Sequence, residues 1–194
     1  MAIALLEQPR ADLTLDHRFK GAGIYAIYYT GDYPAYEAVR CGADREVPIY
    51  VGKAVPQGAR KGGFGLGISP GYVLYSRLMQ HAQSVDQTTN LELADFYCRY
   101  LVVDDIWIPL GESLLIERFS PIWNKVIDGF GNHDPGSGRY QQQMSAWDVL
   151  HTGRPWADKC RPNIRSADDV LDNLHRFLVG EPAEIVPTPH AEPD

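Results

Sequence analysis

The sequence predicts an α/β fold of the α+β kind: a small antiparallel three-stranded sheet flanked by helices. Three observations predict it. Residues 23–30, 48–53 and 96–103 are short runs rich in β-branched and aromatic residues, bounded by glycine, proline or polar residues. Residues 72–81, 109–119 and 166–180 instead space their apolar residues at a helical period. A chain of 194 residues, 44% hydrophobic, is long enough to bury one core of moderate size, so residues 1–194 are expected to form a single domain.

Residues 1–20 form a short amphipathic lead-in, helical around residues 4–7 and broken at Pro9. The first strand, Gly-Ile-Tyr-Ala-Ile-Tyr-Tyr-Thr, closes at Gly31 and Asp32. A polar connection with Pro34 and Gly42 leads to the second strand, Pro-Ile-Tyr-Val-Gly-Lys, so the two make an antiparallel hairpin with a long loop. Six glycines follow (Gly58, Gly62, Gly63, Gly65, Gly67 and Gly71) with no register for cradling a nucleotide. Arg60 and Lys61 sit at the centre of this loop, which either closes on a phosphate backbone or is simply solvated.

In the first main helix Leu74, Leu78 and Ala82 share an apolar face, while Arg77 and His81, four apart, put a permanent cation beside an imidazole. Such a pair suits a phosphate but needs partners from elsewhere in the chain. After a polar loop at 86–90 comes the third strand, then a helix over 109–119 with Leu115, Ile116 and Phe119 inward and Glu112 in its first turn. Pro121 stops it, and residues 122–124 run back towards the sheet. Residues 126–165 are irregular, though Trp147 and Trp156 argue for order. His133 and Asp134 are better read there as a hydrogen-bonded loop than as a metal site. Ser166 to Asp169 reads as a capping box opening a C-terminal helix over 166–180, with Val170, Leu171, Leu174, Phe177 and Leu178 on one face and Gly180 at its end. Residues 181–194 make an acidic, frayed tail.

The net charge of -7 is unevenly distributed. Residues 166–194 hold seven acids against Arg176 alone, leaving the rest nearly neutral. Residues 40–81 carry Arg40, Arg45, Lys53, Arg60, Lys61 and Arg77 against only Asp44 and Glu46, a local basic surface able to contact phosphates. Cys41, Cys98 and Cys160 are odd in number and far apart, which argues against disulfides, and no C-x-x-C pair offers a zinc site. No apolar run approaches the roughly 18 residues that cross a bilayer. The start has no basic segment of the signal-peptide kind, so a cytoplasmic protein without a membrane partner is expected.

Five separated features fall into one pattern. Gly23-Ile24-Tyr25, Tyr50-Val51-Gly52, Arg77 with His81, Glu112, and Asn124 after Pro121 together resemble the GIY-YIG nuclease superfamily over residues 21–125. Residues 129–139 and the Trp-Asp-x-Leu-His-x-Gly-Arg stretch at 147–154 resemble more narrowly the type II restriction endonucleases of that fold that cut a GC-rich palindrome of the CCGCGG kind. The resemblance implies a homodimer, magnesium-dependent cutting of both strands of double-stranded DNA (manganese able to substitute), and a companion DNA methyltransferase.

Phosphodiester hydrolysis needs an attacking water, a proton acceptor, positive charge on the phosphate and help for the leaving oxygen. Tyr25 is the candidate to position and deprotonate the water. A phenol of pKa about 10 is a poor base at neutral pH, so it needs the cations Arg77 and Lys53 and a metal nearby. Tyr50 would hold the phosphate, His81 would orient or accept from a tyrosine, Glu112 would bind the metal, and Asn124 would fix the second helix. Arg139, Gln141, Gln142 and Arg154 are residue types that reach base edges, and are expected to read sequence. Two rival readings are a GIY-YIG nuclease of repair or homing type and a non-catalytic DNA-binding module.

Overall fold

The computed structural model describes residues 2–43, 45–56, 69–136, 138 and 140–186. An antiparallel sheet lies between two layers of helices. Among the described residues it has four strands: β1 Ala11–Asp12, β2 Gly23–Tyr29, β3 Tyr50–Ala54 and β4 Phe96–Val102, in the order β1-β4-β2-β3. The strand absent from the sequence expectation is β1. Its two residues pair with Cys98 and Tyr97 and are too few to show any alternation.

Every residue of the central strand β2 is buried. A strand enclosed on both faces has no need of polar residues, which is why this one reads as an unbroken apolar and aromatic run. Tyr25, Ile27 and Tyr29 point to one layer, where they meet Leu74 and Leu78 of helix α2 (Val73–Asp86), Trp123 of α4 (Ile122–Lys125) and Trp147 of α5 (Ala146–Leu150). Ile24, Ala26 and Tyr28 point to the other, against Leu5 of α1 (Ala2–Leu6) and Ile108, Leu115 and Ile116 of α3 (Ile108–Phe119).

Several boundaries differ from expectation. Pro109 occupies the first turn of α3, a position that its missing N–H tolerates, so the helix begins at Ile108 and Glu112 falls in the second turn. The polar connection after β2 winds into a 3-10 turn, Pro34–Val39, that buries Tyr36. Much of the irregular stretch is core: Ser145 caps α5, and Ala146 and Trp147 are completely enclosed. The capping box forms as expected at the start of α6 (Ala167–Leu178), with the Ser166 and Asp169 side chains each bonding the other's backbone N–H.

The tail begins less frayed than its composition suggests. The Asn173 amide clasps both backbone groups of Glu184, and the Val186 N–H donates to the Lys125 carbonyl. Residues 187–194 lie outside the described residues. Among the described residues no helix is long and apolar enough to cross a membrane.

Candidate active site

The site is built around β3, an edge strand whose side chains alternate between the two layers. Tyr50 turns towards α2, and Lys53 turns towards α3. Between them Gly52 lies directly opposite Tyr25 across the ladder. A methyl group on Gly52 would overlap the Tyr25 hydroxyl, so the absence of a side chain is what lets the Tyr25 ring lie across the strand. The outer edge of β3 is closed by Asn124. Its amide accepts from the Val51 N–H and donates to the Val51 carbonyl, both at 2.8 Å, in place of a neighbouring strand.

Helix α2 delivers two further groups. His81 turns into the core, and its Nε2 lies 2.6 Å from the Tyr25 hydroxyl. The imidazole also stacks on Phe130, ring centres 4.5 Å apart, and packs against Tyr50 at 5.2 Å. One turn earlier Arg77 donates to the Gly131 carbonyl at 2.9 Å and to His133 Nε2. Tyr25, Tyr50, Arg77 and His81 thus form one cluster.

Burial dominates its electrostatics. Enclosure drives the Tyr25 phenol well above its ordinary range, the Tyr50 hydroxyl adds to this, and the Arg77 guanidinium offsets only part of it. Tyr50 is raised in the same way, with Arg77 again opposing. Enclosure, helped by the charge of Arg77, holds His81 well below the ordinary imidazole range. Both members of the Tyr25–His81 pair are therefore neutral at physiological pH, and an imidazole protonated on Nδ1 accepts the phenol proton at Nε2. The expected cation-stabilised phenolate is not the resting state, because loss of water around Tyr25 outweighs one nearby guanidinium.

Lys53 and Glu112 meet on the α3 side, Nζ to Oε2 at 2.7 Å. A cavity of about 780 Å³ brings this pair together with Tyr50, Arg77 and His133. Among the described residues Glu112 is the only carboxylate lining it, and no cluster of three His, Cys, Asp or Glu side chains forms a cage. That donor set fits magnesium, which takes one or two carboxylates and completes its shell with water and phosphate oxygens.

Arg154 requires a correction. It is 1% exposed, its guanidinium paired with Asp148 at 2.6 and 2.7 Å and stacked against the Trp147 and Trp156 rings at 4.5 Å. Its remaining donors reach the carbonyls of Gly129, Phe130 and Asn132. With every donor taken inside the protein it presents nothing to a base edge; it shapes the turn that carries Phe130 and Gly131 onto His81 and Arg77.

Gln141 is exposed and accepts from Arg161 at 2.5 Å, while exposed Gln142 lines a shallow depression with His133 and Asp134. Asp134 bonds the Gly136 N–H and the Tyr140 hydroxyl, consistent with a hydrogen-bonded loop. Arg60, Lys61 and Arg139 lie outside the described residues.

Sequence reasoning passed over Phe130, Gly131 and His133 as parts of the site. A methyl on Gly131 would come within 2.8 Å of the Tyr50 hydroxyl and 3.2 Å of Arg77, so the close approach leaves no room for a side chain. The signal for these residues was their place in the 129–139 stretch, which carried the narrower resemblance.

The chain matches the family model described as the Eco29kI GIY-YIG domain over residues 17–178. No curated protein matches it. The match spans strands β2, β3 and β4, the Tyr–His–Arg cluster, the Lys53–Glu112 pair and the Arg154 clamp together. The chain belongs to the Eco29kI GIY-YIG domain family, a family of type II restriction endonucleases.

Proposed function

We propose that this protein is a site-specific deoxyribonuclease that hydrolyses phosphodiester bonds in double-stranded DNA at a GC-rich palindrome, with magnesium as cofactor. We further propose that it acts as a homodimer beside a companion methyltransferase. The observation that carries the catalytic part is the convergence of Tyr50, Arg77, Lys53 and Glu112 on one cavity, with the Tyr25–His81 pair packed against Tyr50.

A scissile phosphate in the cavity meets the Arg77 guanidinium and the Tyr50 hydroxyl. Burial is the larger cause of the depressed His81 basicity, and the phosphate charge offsets the part that Arg77 adds. As a water oxygen bonds to phosphorus, its proton passes to the Tyr50 oxygen in the cavity, the Tyr50 proton to the enclosed Tyr25 oxygen, and the Tyr25 proton to His81 Nε2. Tyr25 therefore acts as one member of a relay, with no need for a free phenolate. The phosphorus–O3′ bond breaks, and the leaving oxygen takes a proton from solvent. Glu112 would hold the magnesium ion, which when bound supplies positive charge to the phosphate and the leaving oxygen. Lys53, 2.7 Å from the Glu112 carboxylate, holds it in place.

Incubating the protein with plasmid DNA and magnesium tests this reading. Discrete fragments, lost on chelation and carrying the same palindrome at every sequenced end, are the expected result. A single nick or a cut set by DNA structure would place the protein with repair nucleases. DNA binding with no cleavage would overturn the enzymatic reading.

A further inference from the structure

The cavity has a cation that the chemistry above does not use. Arg18, in the segment before β2, lines it beside Tyr72, Ser76 and Gln80. The guanidinium lies over the Tyr72 ring, 3.6 Å from its centre, with Lys20 Nζ 6.0 Å from the same ring. Among the described residues Arg18 makes no ion pair.

Local anchoring explains why an exposed arginine stays there. Next to it Phe19 stacks on Tyr100, ring centres 4.5 Å apart and 7° from parallel, and meets Tyr75 edge-on. The Gly21 N–H donates to the Gly71 carbonyl, and the Gly21 carbonyl accepts from Leu74. The backbone is thus fixed directly after Arg18.

Stacking uses the flat face of a guanidinium and leaves its in-plane N–H donors free. Those donors match two oxygens of a phosphate. Tyr72, Ser76 and Gln80 follow one another at four-residue steps along α2, on the side that also presents Arg77 to the cavity. They form a polar wall between the two arginines, furnished with hydroxyl and amide groups for phosphate oxygens.

Building on the nuclease reading, we infer that Arg18, held on the Tyr72 ring, grips a second backbone phosphate of the strand whose scissile phosphate lies at Arg77. The contact is independent of base sequence, and it sets the direction in which the strand crosses the cavity.

The test measures duplex binding without divalent metal across a salt series for the wild type, Arg18→Gln and, as an arginine of the acidic C-terminal helix outside the cavity, Arg176→Gln. Arg18→Gln is expected to bind about tenfold more weakly, with a log–log salt slope shallower by about 0.9. Arg176→Gln is expected to match the wild type. Duplexes carrying one neutral methylphosphonate, scanned along each strand, should include a position that weakens the wild type and leaves Arg18→Gln unaffected. An unchanged slope, or equal sensitivity of both proteins at every position, would overturn the inference, as would a wild type that does not bind DNA. A wild type that binds with the expected slope but never cleaves in magnesium removes the nuclease reading and leaves the phosphate contact standing.

Discussion

The hydroxyl of Tyr25 and Nε2 of His81 are 2.6 Å apart, and both side chains are sealed from solvent. One comes from the central strand and the other from a helix 56 residues later, so the pair exists only through the packing of α2 on the sheet. Burial keeps both groups uncharged at rest; in the proposed mechanism a phosphate bound at Arg77 favours proton transfer between them.

Tyr25→Phe removes the proton carrier while keeping the ring. The cleavage rate in single-turnover assays is expected to fall by about 10² to 10⁴, the range typical of a lost general acid–base group. Retention of more than a tenth of the wild-type rate would exclude Tyr25 from the relay.

Gly52→Ala places a methyl group where the Tyr25 hydroxyl now lies. The ring must shift, which separates it from His81. Cleavage is expected to drop by at least tenfold while the far-ultraviolet circular dichroism spectrum stays that of the wild type. Normal cleavage by a normally folded variant would contradict the close approach.

Glu112→Ala leaves Lys53 without its partner and removes the only cavity carboxylate among the described residues. Cutting is expected to vanish at any magnesium concentration, with duplex binding measured without metal kept within a few-fold. Unchanged cleavage rates would remove Glu112 from the mechanism.

Arg154→Met strands the Asp148 carboxylate in the core. Breaking a buried pair from one side costs about 3–5 kcal/mol, which for a chain of this size lowers the melting temperature by roughly 6–20 °C. Material that remains folded should cut the same sequence as the wild type. A stable variant with relaxed site preference would restore Arg154 as a base-reading residue.

Acid should weaken the fold in the histidine range. His151 accepts from the Tyr36 hydroxyl at 2.5 Å, and burial, reinforced by Arg154, pushes its pKa down to about 3; His81 is shifted the same way. The folded state keeps both neutral, whereas unfolded histidines bind protons below about pH 6.5. Their contribution is therefore fully present above that pH and declines as pH falls towards 3. Urea midpoints should drop between pH 7 and 5, above the range where most carboxylates titrate. A flat midpoint over that interval would show that the histidines are not held neutral.

Local chemistry alone determined much of this protein. The three longer strands, the helix around Arg77, the helix carrying Glu112 and the Ser166 capping box follow from periodicity and end signals, which act between residues a few positions apart. The spaced motifs also marked Tyr25, Tyr50, Arg77, His81, Glu112 and Asn124, because a shared chemistry fixes residue types wherever the chain runs between them.

The tertiary structure decided everything that depends on what faces what. An arginine in the Trp-Asp-x-Leu-His-x-Gly-Arg stretch looks the same in sequence whether it reaches a base or, as here, lies between two indoles and a buried carboxylate. Burial likewise set the protonation of the Tyr25–His81 pair, since the energy of removing water depends on the surroundings and not on residue type. The two-residue strand β1, the turn over His81 and the seating of Arg18 on Tyr72 join positions tens of residues apart. No local pattern records such contacts, because the free energy that selects them comes from packing the whole core at once.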